Sequence, residues 1–403
     1  LFKVTEAVDT PARNKAVPIN VTRLTLSNFR CYEFQRLDVN TRPVVLTGGN
    51  GAGKTNILEA LSLLTPGRGM RRAKAAELAR RDEGQDDDSG RSWGVAATVE
   101  TVGGPVDIGT GREETGRRGT RERRSVRIEG ETARGQNVLS DYVDAVWLLP
   151  QMDRLFLDGA IARRRFLDRL VFGFDPKHAG RMNAYEHGLR ERAKLLKTGR
   201  HDDRWLSGLE DQMATKAVAV AAARKDIGQR LNILAVEGYG PFPGAKLDPT
   251  GLIEGWLDEF SALEVEDRFR AFLAEHRALD AQLGGARDGV HKSDLSVRHV
   301  PKDQPAELCS TGEQKALLTG MVLANTKALA LDRGRVPLLL LDEVGAHLDQ
   351  DRREALFEAI CAMGAQAWMT GTDREMFAPL SGRADFFHVD QAVVEQVNEQ
   401  HEG

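Results

Sequence analysis

Residues 48–55 read Gly-Gly-Asn-Gly-Ala-Gly-Lys-Thr and fit the pattern G-x-x-x-x-G-K-[ST] at every fixed position. Glycines in such a loop let backbone N–H groups converge on phosphate oxygens, and the helix behind them adds a positive dipole end. Gly48, Gly49, Asn50, Gly51, Ala52 and Gly53 are expected to form the cradle, with Asn56 one turn inside the helix. Lys54 is expected to reach the β- and γ-phosphates, and Thr55 to offer its hydroxyl to Mg²⁺. The bland reading is a Gly-rich turn with a chance Lys-Thr pair. It does not account for the apolar strand "PVVLT" before the loop or the helical "ILEALSLL" after it. The pattern implies a nucleoside triphosphate and is silent about its purpose.

The metal-holding partner of such a loop stands far along the chain, in "PLLLLDEVGAHLD" at 337–349. A buried apolar strand would carry Asp342 to the carboxyl edge of a sheet, where ligands of such sheets bind. Asp342 is expected to hold Mg²⁺ through water, and Glu343 to accept a proton from attacking water. Acidic pairs after apolar strands also cap helices. A third piece, "LCSTGEQKALL" at 308–318, opens another helix, where Ser310 and Gly312 make a second anion site. One nucleotide does not need two separate helix N-termini for its γ-phosphate, whereas a dimer does. This segment resembles the signature motif of ATP-binding-cassette ATPases, with Cys309 in place of the usual leucine and Thr311 in place of the first glycine. Ser310, Gly312, Glu313 and Gln314 are thus assigned to the nucleotide of the opposite subunit. "GAHLDQDRR" at 345–353 resembles the D-loop of that superfamily, with Asp349 lining the dimer interface beside the nucleotide and His347 close to it. Thr372 and Asp373 stand where a switch histidine is usual.

These residues need a scaffold. "VTRLTLSN" at 21–28 alternates as a strand does, and "PVVLT" reads as a buried strand. Between 90 and 150 the runs "WGVAATVET", "GPVDIG", "RSVRIEG" and "YVDAVWLLP" suggest an antiparallel sheet, with Arg112–Arg127 as a long hairpin tip. From Asp158 to about Leu283 the pattern is helical and interrupted by "PFPGAKLDPTG" at 241–251. Residues 203–237 would span roughly 50 Å as one helix. No sustained heptad array exists, so a short arm of two or three antiparallel helices is expected. After Gly312, helix and strand alternate as in a parallel sheet with covering helices. The expected architecture is α/β: an ATPase head with a mixed or parallel sheet, an antiparallel β subdomain and an inserted short helical arm. Its divisions are a polar extension (1–20), a first lobe (21–160), the arm (161–295) and a C-terminal part (296–403).

The 403 residues carry a net charge of −4, which does not announce a nucleic-acid binder. The charge is uneven: residues 151–200 hold 12 Lys/Arg against 6 Asp/Glu, and residues 301–403 hold 9 against 17. Such asymmetry permits an anion-binding face. The apolar runs 217–223 and 336–341 fall far short of the ~18 residues a membrane span needs. Cys31, Cys309 and Cys361 are isolated, which argues against a zinc or redox motif and fits a reducing, cytoplasmic compartment. The first twenty residues lack the apolar core of a secretory signal. Leu1 rather than Met opens the chain, so a natural start upstream stays open.

Taken with these elements, the chain resembles the RecF family of bacterial DNA-repair ATPases, relatives of the SMC proteins, over roughly residues 21–390. The resemblance rests on "LTLSNFRCYE", "GGNGAGKTNILEAL", "LLPQMDRLFLDGAIARRRFLDRLV", "STGEQKALLTGMVLA" and "LLLLDEVGAHLDQDRR". It implies an ATP-driven homodimer, slow DNA-stimulated hydrolysis, and binding to duplex DNA or single/double-strand junctions. It also implies cooperation with RecR and RecO in loading RecA at gaps. By position, Gln151 matches a glutamine that touches metal or water, or else caps the helix that follows. Arg30 approaches ribose or phosphate, or is a surface arginine at a strand end.

Two other classes share the motifs. A transporter's ATP-binding subunit keeps its phosphate loop and signature much closer together than Lys54 and Gly312, which lie more than half a chain apart. A structural SMC-type chromosome protein needs hundreds of coiled-coil residues. Two basic features are candidates for DNA phosphates. Arg112–Arg127 holds seven arginines against three glutamates, and Arg163, Arg164 and Arg165 begin a helix. Each is also readable without DNA: the first reads more readily as a solvated loop, and the second as paired with 86–88 or with acidic groups inside the fold. Neither interleaves aromatics, so base stacking is not expected.

Overall fold

The computed structural model describes residues 16–81, 92–112, 124–199 and 203–397. Its centre is a sheet in the order Val393–Gln396, Asp385–Asp390, Val44–Thr47, Ala367–Gly371, Leu338–Leu341, Ala145–Leu148. All neighbours are parallel except the first pair. The three central strands are buried at every residue, as parallel strands covered on both faces must be. Alternate side chains feed two different cores. Val45, Leu339, Leu341, Ala367 and Met369 join one, shared with the helices Thr311–Arg333 and Gln350–Met363. Val44, Leu46, Leu338, Leu340 and Trp368 join the other, shared with the helix Lys54–Ser62. Each fully buried leucine contributes about 2 kcal/mol, so the four leucines 338–341 pin the register of the acidic strand.

A second sheet is antiparallel, in the order Tyr32–Asp38, Asn20–Phe29, Trp93–Thr101, Gly104–Arg112, Ser125–Ile128, Glu131–Thr132. One face alternates into the second core through Leu24, Leu26, Val95 and Ala97. The segment 142–150, expected in this sheet, is not in it. Ala145–Leu148 instead pairs parallel with Leu338–Leu341, because its apolar side chains serve both cores. The expected polar extension also ends sooner: Val17 and Pro18 pair with Arg335 and Val336, and Ile19 is buried. Residues 113–123 of the arginine-rich stretch and the acidic run 86–88 lie outside the described residues.

The helical region has its own core. Tyr185, Met213, Ala217, Val218, Val265, Phe269 and Leu273 cluster apart from the head. The helix Asp203–Ala235 links the two, sending Ile227, Leu231 and Ala235 into the head core. Inside the arm Arg192 is held by Glu210 at 2.8 Å and Asp280 at 2.6 Å, all three side chains about 1% exposed. Removing one member of such a buried set costs about 3–5 kcal/mol. The arm is not purely helical, since Ala245–Thr250, Asp294–His299 and Gln304–Pro305 form a small antiparallel sheet across the expected boundary at 295. The helix Ala160–Phe174 packs Phe166, Leu167 and Leu170 into the head core.

Candidate active site

The registers decide what meets what. Thr47 pairs with Gly371, Leu341 with Met369, and Leu341 with Leu148. The carboxyl ends of these strands therefore share one edge, and the residues that follow them converge there. Gly48 begins the loop at φ 144°, and a Cβ on it would lie 2.0 Å from the Val389 carbonyl oxygen. Only glycine fits that close approach. Gly49, Asn50 and Gly51 are exposed, whereas Ala52 and Gly53 are buried. The helix starts at Lys54.

Lys54 is buried and donates from Nζ to the carbonyls of Gly48 and Gly49, each at 2.7 Å. Burial lowers its pKa, and the nearby carboxylates of Glu343 and Asp342 partly oppose that shift. Thr55 Oγ1 donates to Asp342 Oδ1 at 2.9 Å, so two residues 287 positions apart touch. Thr370, absent from the sequence-based set, donates to the same Asp342 oxygen at 2.8 Å and accepts the Glu343 N–H at 2.8 Å. Glu343 sits at φ 51°, ψ 30°, a left-handed conformation that a carboxylate residue adopts at a cost. A cavity of about 20 Å³ lies beneath the pair, lined by Pro150, Asp153, Lys315, Asp342 and Glu343. It has room for one water molecule.

The serine turn is arranged differently. Ser310 caps the helix Thr311–Arg333 and forms a capping box with Glu313. Ser310, Thr311 and Gly312 are exposed. Asp349 is exposed as well and caps Gln350–Met363, accepting from the Arg352 N–H at 2.9 Å. Arg352 Nη1 lies 3.5 Å from Asp349 Oδ2 and donates to the Gly312 carbonyl at 3.4 Å, so the two turns share a face.

Several expected residues are occupied otherwise. Arg30 is bidentate to the buried Glu59 at 2.8 and 2.7 Å and donates to the Glu77 carbonyl, so its donors serve the fold. Asn56 donates to Cys31 Sγ and accepts from Arg71. Gln314 is 2% exposed and donates to the carbonyls of Cys309 and Glu307, propping the turn from beneath. Glu313 is bound by Lys302 and Ser310, in that order of effect, which pull its carboxyl down to about 2. Gln151 is exposed in the short turn Pro150–Arg154, just past the strand that neighbours Asp342. The side chain of His347 lies outside the described residues. Of the arginine triplet, Arg163 pairs with Asp294 at 2.7 Å and Arg164 donates to the Ser293 carbonyl, while Arg165 is exposed. Arg124 turns inward to the Thr65 carbonyl, and burial lowers its pKa to about 10.

A family model described as the RecF/RecN/SMC N terminal domain matches residues 20–395. The DNA replication and repair protein RecF of Mesorhizobium japonicum is 46% identical over 381 residues, 93% of this chain and 97% of that protein. The chain belongs to the RecF family. A RecF from Allorhizobium ampelinum is 45% identical over 375 residues, 92% of this chain and 97% of that one. Two solved structures of the recombination mediator protein RecF in the RecFOR pathway share the fold. The RecF-ATPrS structure has a TM-score of 0.82 at 20% identity, covering 96% of this chain and 100% of that one. The RecF-ATP structure has a TM-score of 0.78 at 21% identity, covering 94% and 99%. The RecF fold is thus an ATPase head with parallel and antiparallel sheets and an inserted arm. No helix among the described residues is long and apolar enough to cross a membrane.

Proposed function

We propose that this RecF-family chain is a DNA-binding ATPase of replication and repair. ATP with Mg²⁺ closes two copies on duplex DNA or a single/double-strand junction, and hydrolysis releases them. The contact of Thr55 with Asp342 at 2.9 Å, beside Lys54, carries the reading. It brings the hydroxyl, the carboxylate and the ammonium of a phosphate site to one sheet edge. The name of the structurally similar RecF-ATP complex supports ATP as the nucleotide.

Lys54 gives up two loop carbonyls for phosphate oxygens, a stronger charge-assisted contact. The oxygens of Thr55 and Asp342 are hard donors and fit Mg²⁺, with Gln151 on the same edge. The ion supplies charge neutralisation at the phosphates when bound. Asp342 is held in position by Thr370, and Glu343 accepts the proton of the attacking water. Ser310, Gly312 and Asp349 lie on an exposed face and meet the nucleotide of the second copy. DNA meets exposed arginines such as Arg127 and Arg165 through phosphate contacts. RecR and RecO are the proposed partners, with RecA loading at gaps as the outcome. The RecFOR pathway named for the structural relatives supports them.

ATP with Mg²⁺ is expected to convert monomer to dimer, and Glu343→Gln to trap the dimer. Light scattering that finds this variant monomeric at saturating ATP rules the reading out. Lys54→Ala is expected to abolish ATP-dependent retention on DNA. Unchanged retention at matched salt refutes the switch.

A further inference from the structure

The turn between Asn20–Phe29 and Tyr32–Asp38 is tight, with Asn28 at φ 47° and Arg30 at φ 56°. It carries Cys31 to the start of the phosphate-loop helix. Cys31 is exposed, whereas Cys309 is buried and Cys361 half-buried. Asn56 Nδ2, in the helix's first turn, donates to Cys31 Sγ at 3.1 Å. A Cβ built on Gly53 would lie 2.9 Å from that sulfur and 2.6 Å from the Tyr32 hydroxyl, so both flank the same glycine. Tyr32 is 1% exposed, and its hydroxyl has no hydrogen-bond partner among the described residues. Burial, and after it the Cys31 sulfur, push the phenol well above its ordinary value, so it remains a donor. An unused buried donor therefore lies against the same glycine as the Cys31 sulfur, within reach of an acceptor atom brought there.

We infer that Cys31 is a thiol-modification site, and that a small thiol joined to it and a nucleotide on the phosphate loop exclude each other. The inference rests on the phosphate loop binding nucleotide, as proposed above. The Cys31 thiolate attacks one sulfur of a small disulfide. A new S–S bond forms, the old one breaks, and the departing thiolate takes up the proton that Cys31 released. Cys31 is oxidised and the small disulfide reduced, with no other oxidant required. The added group stands against Gly53, which already leaves no space for a Cβ, and takes the sulfur away from Asn56.

The full chain is treated with glutathione disulfide, and the modified peptide is mapped by mass spectrometry. Fluorescent ATP-analogue binding is measured before treatment, after it, and after dithiothreitol. Untreated chain tests whether the loop binds nucleotide at all, separately from the inference. Expected are one glutathione on Cys31, at least about tenfold weaker binding, and recovery on reduction. Cys31→Ser binds as the untreated chain does and keeps that binding in glutathione disulfide. By linkage, saturating ATP with Mg²⁺ slows modification of Cys31 and leaves Cys361 unaffected. Full binding by a chain modified at Cys31 overturns the inference, as does modification of Cys31 at the same rate with and without nucleotide.

Discussion

The loop at Gly48–Thr55 and the turn at Ser310–Gly312 are both glycine-bearing segments at helix N-termini, yet one chain completes only the first. Lys54 is buried with two carbonyl partners, and Thr55 and Thr370 both reach Asp342. Lys54, Asp342 and Thr370 are buried and Thr55 is half-buried, and left unpaired a buried polar group costs about 1–3 kcal/mol. The loop must therefore be satisfied within the chain. Ser310, Gly312 and Asp349 stand at the surface, and their bonds are local caps. Exposed caps place no demand on the rest of the fold. The proposed pairing of two copies asks this of each chain: one half-site knit into the core and one left on a face.

The largest expected effect breaks the knit half. Gly48→Ala puts a Cβ 2.0 Å from the Val389 carbonyl oxygen at a backbone φ of 144°. Strain and backbone clash together cost on the order of 4 kcal/mol. Urea denaturation is expected to register that loss, and ATP binding to vanish with it. Gly312→Ala is the matched control: a Cβ there meets only Arg352 Nη1, at 3.9 Å. Equal losses from the two substitutions would erase the distinction between the half-sites.

Thr370→Val sharpens the comparison at smaller scale. The methyl replaces a hydroxyl that donates to Asp342 and accepts from the Glu343 N–H. The freed groups are buried or half-buried, so a cost of about 1–3 kcal/mol is expected in urea denaturation. Hydrolysis is expected to fall more than nucleotide affinity, because Asp342 and Glu343 lose their alignment while Lys54 keeps its loop. A loss confined to affinity would place Thr370 with the cradle instead.

Thr370 also marks where the sequence stops being readable. The buried strand, glycine-bearing loop and helix at 44–62 and the buried strand at 338–341 were legible because their residue types and spacing are local patterns. So was the α/β head with its antiparallel subdomain and arm. Thr370 lies in the buried run Ala367–Gly371, and only the register Leu341–Met369 sets it beside Asp342. Strand order is a property of the packed sheet, not of a local pattern. The same gap misplaced 142–150, whose β character was plain but whose neighbour was not. Arg30 and Gln314 were ambiguous for a different reason: their types suit a ligand equally well as a partner within the fold, and here Glu59 and the carbonyls of Cys309 and Glu307 hold them. Ala245–Thr250 hid in a Pro- and Gly-containing break that read as a simple interruption.

Ser310→Ala tests the exposed half with the smallest expected effect on the single chain. The hydroxyl accepts from the Glu313 N–H and donates to the Glu313 carboxylate. Loss of such a cap costs about 1 kcal/mol, confined to the first turn of the helix. Hydrogen exchange there should rise while the core strands stay protected. A depressed carboxylate contributes stability that is present above its unfolded pKa and lost as pH falls through its folded value, here about 2. Lys302 is the first cause of that depression, so in Ser310→Ala the Glu313 carboxyl should move only part of the way back, read by NMR titration. Nucleotide affinity of the single chain should not change, whereas ATP-dependent dimerisation should be lost. If Ser310→Ala weakens the monomer's hold on ATP as Lys54→Ala does, the serine turn serves its own chain's nucleotide, and the division into two half-sites fails.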